Sequence, residues 1–209
     1  MAVMKKGYQP KQRNTGSRKR KKLLIISAEG KNKTETQYFK RMANPSRRVI
    51  VARGNDTDPL QVAEHLKEEM KDCDFNPDLG DLAFAFVDHD LKVGKDAAVA
   101  SAEESLADTE AKLIVSNPCF EVWFLAHYRY TTKNYTSGRE VINDLDKDMH
   151  GYSKEDPYIY DKLKDKISDA IQNAQRMETH CRTAGYTYHK HDFAPSTDVY
   201  QAIIEINKQ

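Results

Sequence analysis

The sequence predicts an α/β protein whose parallel sheet has about four strands in 2-1-3-4 order, with helices on both faces. Short apolar runs alternate with segments of helical period, as in chains that build a parallel sheet through helical crossovers. The run 82–87 is apolar at every position, as expected of a central strand covered on both faces. At 209 residues, the chain is long enough to bury one substantial core.

The first part of the chain supplies the elements of this sheet in order. Strands are predicted at 22–28, 48–52, 82–87 and 112–115, with helices between them at about 34–43, 58–72 and 95–109. The second of these helices has the clearest start, because Asp58 can cap its first turn and Pro59 suits the first helical position. An apolar helix over 120–128 follows the turn at Asn117-Pro118.

The pattern changes from residue 130 onward. Residues 130–157 are polar and rich in tyrosine, and we expect an irregular insertion there. A helix is predicted over 158–183, then a loop with one short strand, then a last helix that begins near Ser196 or Thr197. We therefore divide the chain into a basic flexible arm (1–21), an α/β core (22–129) and an insertion with C-terminal helices that cap the core (130–209).

The net charge of +1 conceals an asymmetry along the chain. Residues 1–22 hold nine of the 33 Lys and Arg residues and no acidic residue, so the remainder carries 24 basic against 32 acidic residues. A basic arm on an acidic body suits contact with a phosphate backbone, which such arms bind without reading sequence. A disordered, solubilising leader explains the composition equally well.

Several classes of protein are disfavoured by composition. No run approaches the ~20 apolar residues of a membrane span, and the first residues lack an apolar signal core. The three cysteines are far apart and form no Cys-x-x-Cys pair, so neither a disulfide framework nor a zinc cage is indicated. We expect a cytoplasmic protein with no membrane partner.

Acidic residues follow two of the predicted strands. Glu29 comes directly after 22–28, and Asp88 and Asp90 come directly after 82–87. Ligands of open parallel sheets bind at the carboxyl ends of strands, and residues at i and i+2 of an extended segment share a face. An oxygen-only cluster there would suit Mg²⁺ or Mn²⁺ and phosphoryl chemistry on nucleic acid. Each acid taken alone could instead simply begin a turn.

Other polar residues have less decided roles. Glu35 lies three residues after Asn32, which fits either a capping box or a second-metal ligand. Lys31 and Lys33 could hold a phosphate at the same helix N-terminus or offset the nearby acids. His89 is predicted to face away from the aspartates. The other histidines considered lack metal-ligand spacing, and we expect surface positions for His127, His180, His189 and His191.

Several motifs, in order, resemble those of RloB-like proteins. The opening block is 25–30 with Thr34-Glu35-x-x-Tyr38-Phe39, followed by Asp88-His89-Asp90. Later blocks are Ser116-Asn117-Pro118-Cys119-Phe120-Glu121-x-Trp123, Gly151-Tyr152-x-Lys154 and Pro195-Ser196-Thr197-x-Val199. The resemblance runs from about residue 18 to the C-terminus. The turn after Glu29 is one residue longer than the family's usual Glu-Gly-x-x-Thr-Glu.

This resemblance implies a Toprim-like fold in which Glu29, Asp88 and Asp90 are the metal and acid–base carboxylates. Glu35 joins them as a metal ligand by analogy with OLD-type nucleases. RloB-like proteins occur in restriction and phage-defence settings, often with an ATPase partner, and are regarded as nucleases. The resemblance therefore implies defence by abortive infection.

Together, these observations predict a Mg²⁺- or Mn²⁺-dependent endonuclease that hydrolyses RNA, tRNA included, or DNA. Lys154 would neutralise charge on the phosphate during catalysis. The residues assigned to nucleic-acid contact are Arg18, Lys19, Arg20, Lys31, Lys33, Asn117 and Glu121.

Some of these assignments have alternatives. Asn117 could cap a helix, and Glu121 could form a structural salt bridge. The tyrosines Tyr128, Tyr130, Tyr135 and Tyr152 could stack on unpaired bases or pack inside the cap. For the whole protein, the alternative is a catalytically inert nucleic-acid-binding or ATPase-partner module. A homodimer is also left open.

Overall fold

The computed structural model describes residues 20–30, 34–54 and 57–208, which contain five strands. These are β1 (Lys22–Ala28), β2 (Arg47–Val51), β3 (Leu82–Asp88), β4 (Lys112–Asn117) and β5 (Ser196–Thr197). They form one sheet in the order β2-β1-β3-β4-β5. The first four strands are parallel and take the predicted relative order, whereas β5 runs antiparallel to β4. The whole sheet is therefore mixed. The one short strand expected in the loop before the last helix lies at Ser196–Thr197, and its place in this sheet was not predicted.

The helices connect these strands and continue beyond them. They are α1 (Thr34–Lys40), α2 (Pro59–Asp72), α3 (Lys95–Leu106), α4 (Glu121–Ala126), α5 (Gly138–Asp148), α6 (Ile159–Leu163), α7 (Ile167–Thr183) and α8 (Val199–Asn207). Short 3₁₀ turns occupy Pro77–Leu79 and Lys164–Lys166.

The start of α2 follows the predicted capping chemistry. The Asp58 carboxylate accepts hydrogen bonds from the backbone N–H groups of Leu60 (3.0 Å) and Gln61 (3.2 Å), and Pro59 is the first helical residue. These bonds satisfy two of the N–H groups that a helix start leaves without an intrahelical acceptor. The prediction of Asp58 as N-cap is confirmed.

Side chains on the two faces of the sheet enter two separate apolar clusters. Along β1, Leu24 and Ile26 belong to one cluster, and Leu23 and Ile25 belong to the other. This alternation follows the period of two in a strand. The second cluster includes residues of α2 and α3, and the first includes residues of α1 and of every helix from α4 to α8. The residues after 130 therefore share a core with the sheet.

Two predicted elements after residue 130 were wrong. The expected irregular insertion contains α5, which buries Val141 and Leu145 while its other positions are mostly charged, so its apolar signal is sparse. The expected helix 158–183 is broken by the 3₁₀ turn Lys164–Lys166 into α6 and α7. None of these three residues is a glycine or a proline, so no local sequence signal marks the break.

The start of the last helix was also misplaced. Ser196 and Thr197 form β5, and α8 begins only at Val199. The hydroxyl groups of Ser116 and Thr197 lie 2.8 Å apart across the two strands, and the Asp198 N–H donates to the Val115 carbonyl at 2.9 Å. These contacts hold the segment at the edge of the sheet. Within the described residues, no helix is both long and apolar enough to cross a membrane.

Candidate active site

The site lies where the chain order of the sheet reverses. β1 and β3 are neighbours, and the chain leaves β1 toward β2 but leaves β3 toward β4 on the other side. Glu29 follows β1 directly and its N–H donates to the Phe86 carbonyl of β3 at 3.3 Å. Asp88 is the last residue of β3. The sheet therefore brings Glu29 and Asp88 to one carboxyl edge, the position at which open α/β sheets bind ligands.

A lysine that the sequence analysis missed lies between the acidic groups. The Lys95 ammonium, at the start of α3, contacts the Glu29 carboxylate oxygens at 2.8 and 3.1 Å and Asp90 Oδ2 at 3.1 Å. It also donates to the backbone carbonyl of Asp88 at 2.7 Å. Glu29 and Asp90 thus approach closely enough to share one cation.

Asp90 reaches this position by a route different from the predicted one. Its φ is 59°, and that of Leu91 is also 59°, so the segment is not extended and the i, i+2 argument does not apply. Asp is among the residues that tolerate this left-handed conformation. The Asp90 N–H donates to the Pro118 carbonyl at 2.9 Å, which fixes the turn. His89 is buried, with Nε2 at 2.9 Å from Asp96 Oδ1.

Burial and the neighbouring cations act in opposite directions on the charges of Glu29 and Asp90. Burial raises the pKa of Glu29 to about 7, because the loss of hydration outweighs the ion pair with Lys95. The pKa of Asp90 is lowered, because Lys95 and Lys92 outweigh its burial. Lys95 keeps its charge, since Glu29 and Asp90 raise its pKa even though burial lowers it.

In Glu35 and Asp88, burial and neighbouring carboxylates both disfavour the charged form. Glu35 is buried in the first turn of α1, and burial and the nearby Glu121 raise its pKa to about 7. Burial and repulsion by Glu35 and Glu121 raise the pKa of Asp88 well above its usual range. Asn32, the predicted capping partner of Glu35, lies outside the described residues.

Glu121 is the most deeply buried of the five acids. It is 1% exposed at the start of α4, and its Oε1 accepts hydrogen bonds from Lys154 Nζ and Tyr152 Oη, both at 2.9 Å. Its Oε2 is buried and has no hydrogen-bond partner among the described residues. Lys154 is therefore brought to the acidic edge, where its charge also acts on Asp88.

The residues predicted to contact nucleic acid lie in different places. Asn117 is buried, accepts from the Leu91 N–H at 3.3 Å and donates to the carbonyls of Lys190 and His191 at 3.2 Å. Its amide thus joins two loops and does not cap a helix. Arg20 pairs with Asp81 at 2.6 Å near the start of β1, at the other end of the sheet. Arg18, Lys19, Lys31 and Lys33 lie outside the described residues.

Some aromatic residues and histidines are more buried than predicted. Tyr135 is buried with its hydroxyl on Asp144, so packing, and not base stacking, describes it. Tyr128 and Tyr130 lie under the cations of Lys166 and Arg176. The predicted surface position of His127 was wrong, because core packing buries its ring. The side chain of His189 is only 10% exposed and contacts the carboxylates of Glu103 and Asp198.

The donor chemistry of the site fits a hard divalent cation. Its five acids present only oxygen atoms, and Glu121 Oε2 is a buried acceptor with no donor in the described part of the chain. As the side chains stand, however, no three His, Cys, Asp or Glu residues of the described part surround one metal position. Lys95 occupies the point at which Glu29 and Asp90 face each other.

Comparison with known protein families gives one match. The model of the family described as RloB-like protein matches residues 24–206. Neither the curated proteins nor the solved structures gave a match. The matched range contains all five acids, Lys95 and Lys154.

Proposed function

The chain belongs to the RloB-like family, and from that premise and the acidic edge of its sheet we propose that it is a divalent-metal-dependent nuclease. The reaction is hydrolysis of a phosphodiester bond in RNA, tRNA included, or in DNA. A Toprim-like fold is part of the proposal, supported by a parallel sheet with Glu29 after its first strand and Asp88 at the end of its third.

One observation carries this proposal. Five carboxylates from separate parts of the chain (Glu29, Glu35, Asp88, Asp90 and Glu121) act on one another electrostatically at the ligand-binding edge of the sheet. Their mutual repulsion and burial disfavour the charged form of three of them, so the cluster costs stability. Clusters of this kind, with pKa values moved toward neutrality, are typical of catalytic and metal sites.

The residues would divide the work of hydrolysis. Glu29, Glu35, Asp88 and Asp90 are the proposed metal ligands, and the buried Glu121 adds a fifth carboxylate. A bound divalent cation would stabilise negative charge on the phosphate. Glu29, with its pKa at about 7, is suited to accept a proton from water that attacks phosphorus as the bond to the leaving oxygen breaks. Lys154 would neutralise charge on a phosphate oxygen.

The biological setting and the substrate contacts are also proposals. Membership of the family supports a role in anti-phage defence by abortive infection, with an ATPase as a candidate partner. Nucleic-acid contact is proposed for Arg18, Lys19, Lys31 and Lys33, whose positive charges suit a phosphate backbone.

The test is a cleavage assay with matched variants. The purified protein is incubated with labelled tRNA, single-stranded DNA and duplex DNA in Mg²⁺ or Mn²⁺. We expect cleavage that EDTA abolishes and that Asp88→Asn and Glu29→Gln reduce at least 100-fold, with unchanged circular dichroism. Glu104→Gln, on the exposed face of α3, is the control with full activity. Cleavage that survives EDTA or both site variants would exclude this active site.

The alternative is an inert nucleic-acid-binding or ATPase-partner module with the same fold. The absence of a preformed set of three donors among the described residues favours it. It predicts nucleic-acid binding that weakens steeply with salt and no cleavage with either cation. The same assay, joined to a binding measurement at two salt concentrations, separates the two functions.

A further inference from the structure

Lys95 is surrounded as a bound cation would be. Four oxygen atoms lie within 3.1 Å of its Nζ, from both carboxylate oxygens of Glu29, the carboxylate of Asp90 and the carbonyl of Asp88. An ammonium group has only three N–H donors, so the acceptors outnumber the donors. The Lys95 side chain is only 14% exposed, so protein atoms, and not water, make up most of the surroundings of its ammonium group.

Among the described residues, no cation contacts the rest of the cluster in this way. Glu35 and the carboxylate of Asp88 repel each other and Glu121, and Lys154 pairs with only one oxygen of Glu121. The other oxygen, Glu121 Oε2, is buried without a partner among the described residues. Within the described part of the chain, negative charge is thus balanced beside Lys95 and exceeds positive charge on the side of Glu35, Asp88 and Glu121.

The charges of the described site residues support the same division. Five carboxylates face three ammonium groups, those of Lys92, Lys95 and Lys154. A bound divalent cation would favour the ionised form of every carboxylate, and the formal count of these groups is then two negative charges, which that cation neutralises.

We propose that Lys95 is a built-in cation that occupies the position between Glu29 and Asp90, so that the site accepts a single divalent cation, on the side of Glu35, Asp88 and Glu121. This inference rests on the proposed function and narrows its ligand set. Glu29 and Asp90 then hold the Lys95 ammonium, and Glu35, Asp88 and Glu121 are the ligands of the one divalent cation. In a nuclease that uses two cations, each stabilises charge on one side of the displaced phosphate. Here the Lys95 ammonium would supply the positive charge on the Glu29 side.

The test measures Mn²⁺ stoichiometry by calorimetry and by electron paramagnetic resonance, with no substrate present. We expect one Mn²⁺ on the wild-type protein, one on Lys95→Arg, which keeps the charge, and two on Lys95→Met, which vacates the position. Lys92→Met is the control. Its ammonium also pairs with Asp90 but is 66% exposed, so the variant should still bind one Mn²⁺.

A thermal unfolding series keeps the test decisive where Lys95→Met is unstable. Without metal, Glu29 and Asp90 repel each other in this variant, so Mn²⁺ should raise its Tm by more than it raises that of the wild type. Two Mn²⁺ on the wild type, or one on Lys95→Met with no larger Tm shift, would overturn the inference while the nuclease proposal stands. No Mn²⁺ on the wild type would overturn both.

Discussion

Glu121 and Lys154 form an ion pair of unequal exposure, with a 1% exposed carboxylate joined at 2.9 Å to a lysine that is 52% exposed. The buried partner has lost its hydration, whereas the lysine can return to water. Removing one partner of a buried pair is costlier than removing both, because the remaining charge is left without compensation.

We predict that Lys154→Met lowers the free energy of unfolding by roughly 1–3 kcal/mol at neutral pH. The double variant Lys154→Met/Glu121→Gln should recover most of that loss, since no buried charge then lacks its partner. Urea unfolding of the four proteins in the cycle measures both effects. Lys147→Met, whose partner Asp144 retains Lys133, is the control and should have a smaller effect. A double variant no more stable than Lys154→Met would contradict the pairing.

Because the Glu35 carboxyl is buried, we predict that removing its charge stabilises the folded protein, and that the gain depends on pH. Its pKa rises from an unfolded value of 4.5 to about 7 in the fold, chiefly through burial. The folded protein therefore binds more protons than the unfolded chain between these values, and the cost of ionising Glu35 is fully present only above pH 7.

Glu35→Gln should accordingly stabilise the metal-free protein at pH 8, by roughly 1–3 kcal/mol, and have little effect at pH 4.5. Unfolding in EDTA at the two pH values measures the difference. Glu104→Gln, at an exposed position of α3, should change stability little at either pH. Destabilisation by Glu35→Gln at pH 8 would show that its charge is compensated in the fold.

The centre of the sheet was predictable because β1 and β3 are apolar on both faces. The run 22–28 contains β1 at its observed bounds, and the acid after it lies where the strand ends. β5 could not be found in this way, since two residues carry no periodicity and only the partners of Ser196 and Thr197 make them a strand. α5 was missed because its charged residues conceal two buried apolar positions.

The site was predictable only to the extent that it follows strand ends. Glu29 and Asp88 could be placed together because the carboxyl ends of adjacent parallel strands share one edge. The pairing of Glu121 with Lys154 is tertiary and leaves no local pattern. Lys95 did have a signal that was not used, because it begins the helix that follows the Asp88–Asp90 turn and so starts at the same edge.

Asp81 is predicted to anchor the start of the sheet. Its buried carboxylate accepts from Arg20 at 2.6 and 2.8 Å, from the Leu23 N–H at 2.8 Å and from the Asn76 N–H at 2.9 Å. Asp81→Asn replaces one acceptor oxygen by a donor and leaves bonds unmade, so we expect a loss of about 2–4 kcal/mol. Arg20→Met should lower the free energy of unfolding by less, because the N–H groups of Leu23 and Asn76 still donate to the Asp81 carboxylate. Equal losses for both variants in urea unfolding would contradict this anchoring role.

His189 is predicted to stabilise the fold only while it is protonated. Its ring contacts the carboxylates of Glu103 and Asp198 and stacks on Tyr188, with ring centroids 3.7 Å apart. Burial alone would lower the pKa of His189. The hydrogen bonds to Asp198 and Glu103 raise it by more than burial lowers it, so the pKa is about 9. Because the unfolded value is 6.5, the stabilisation is complete below pH 6.5 and is lost as the pH rises to 9.

His189→Gln removes the charge and keeps a side chain that can form hydrogen bonds. We expect it to lower the free energy of unfolding by roughly 1–3 kcal/mol at pH 6 and by much less at pH 9.5. His180→Gln, on α7, is the matched control and should show no such dependence. A loss for His189→Gln that is equal at the two pH values would indicate that packing on Tyr188, and not the charge held between Glu103 and Asp198, is what this ring contributes.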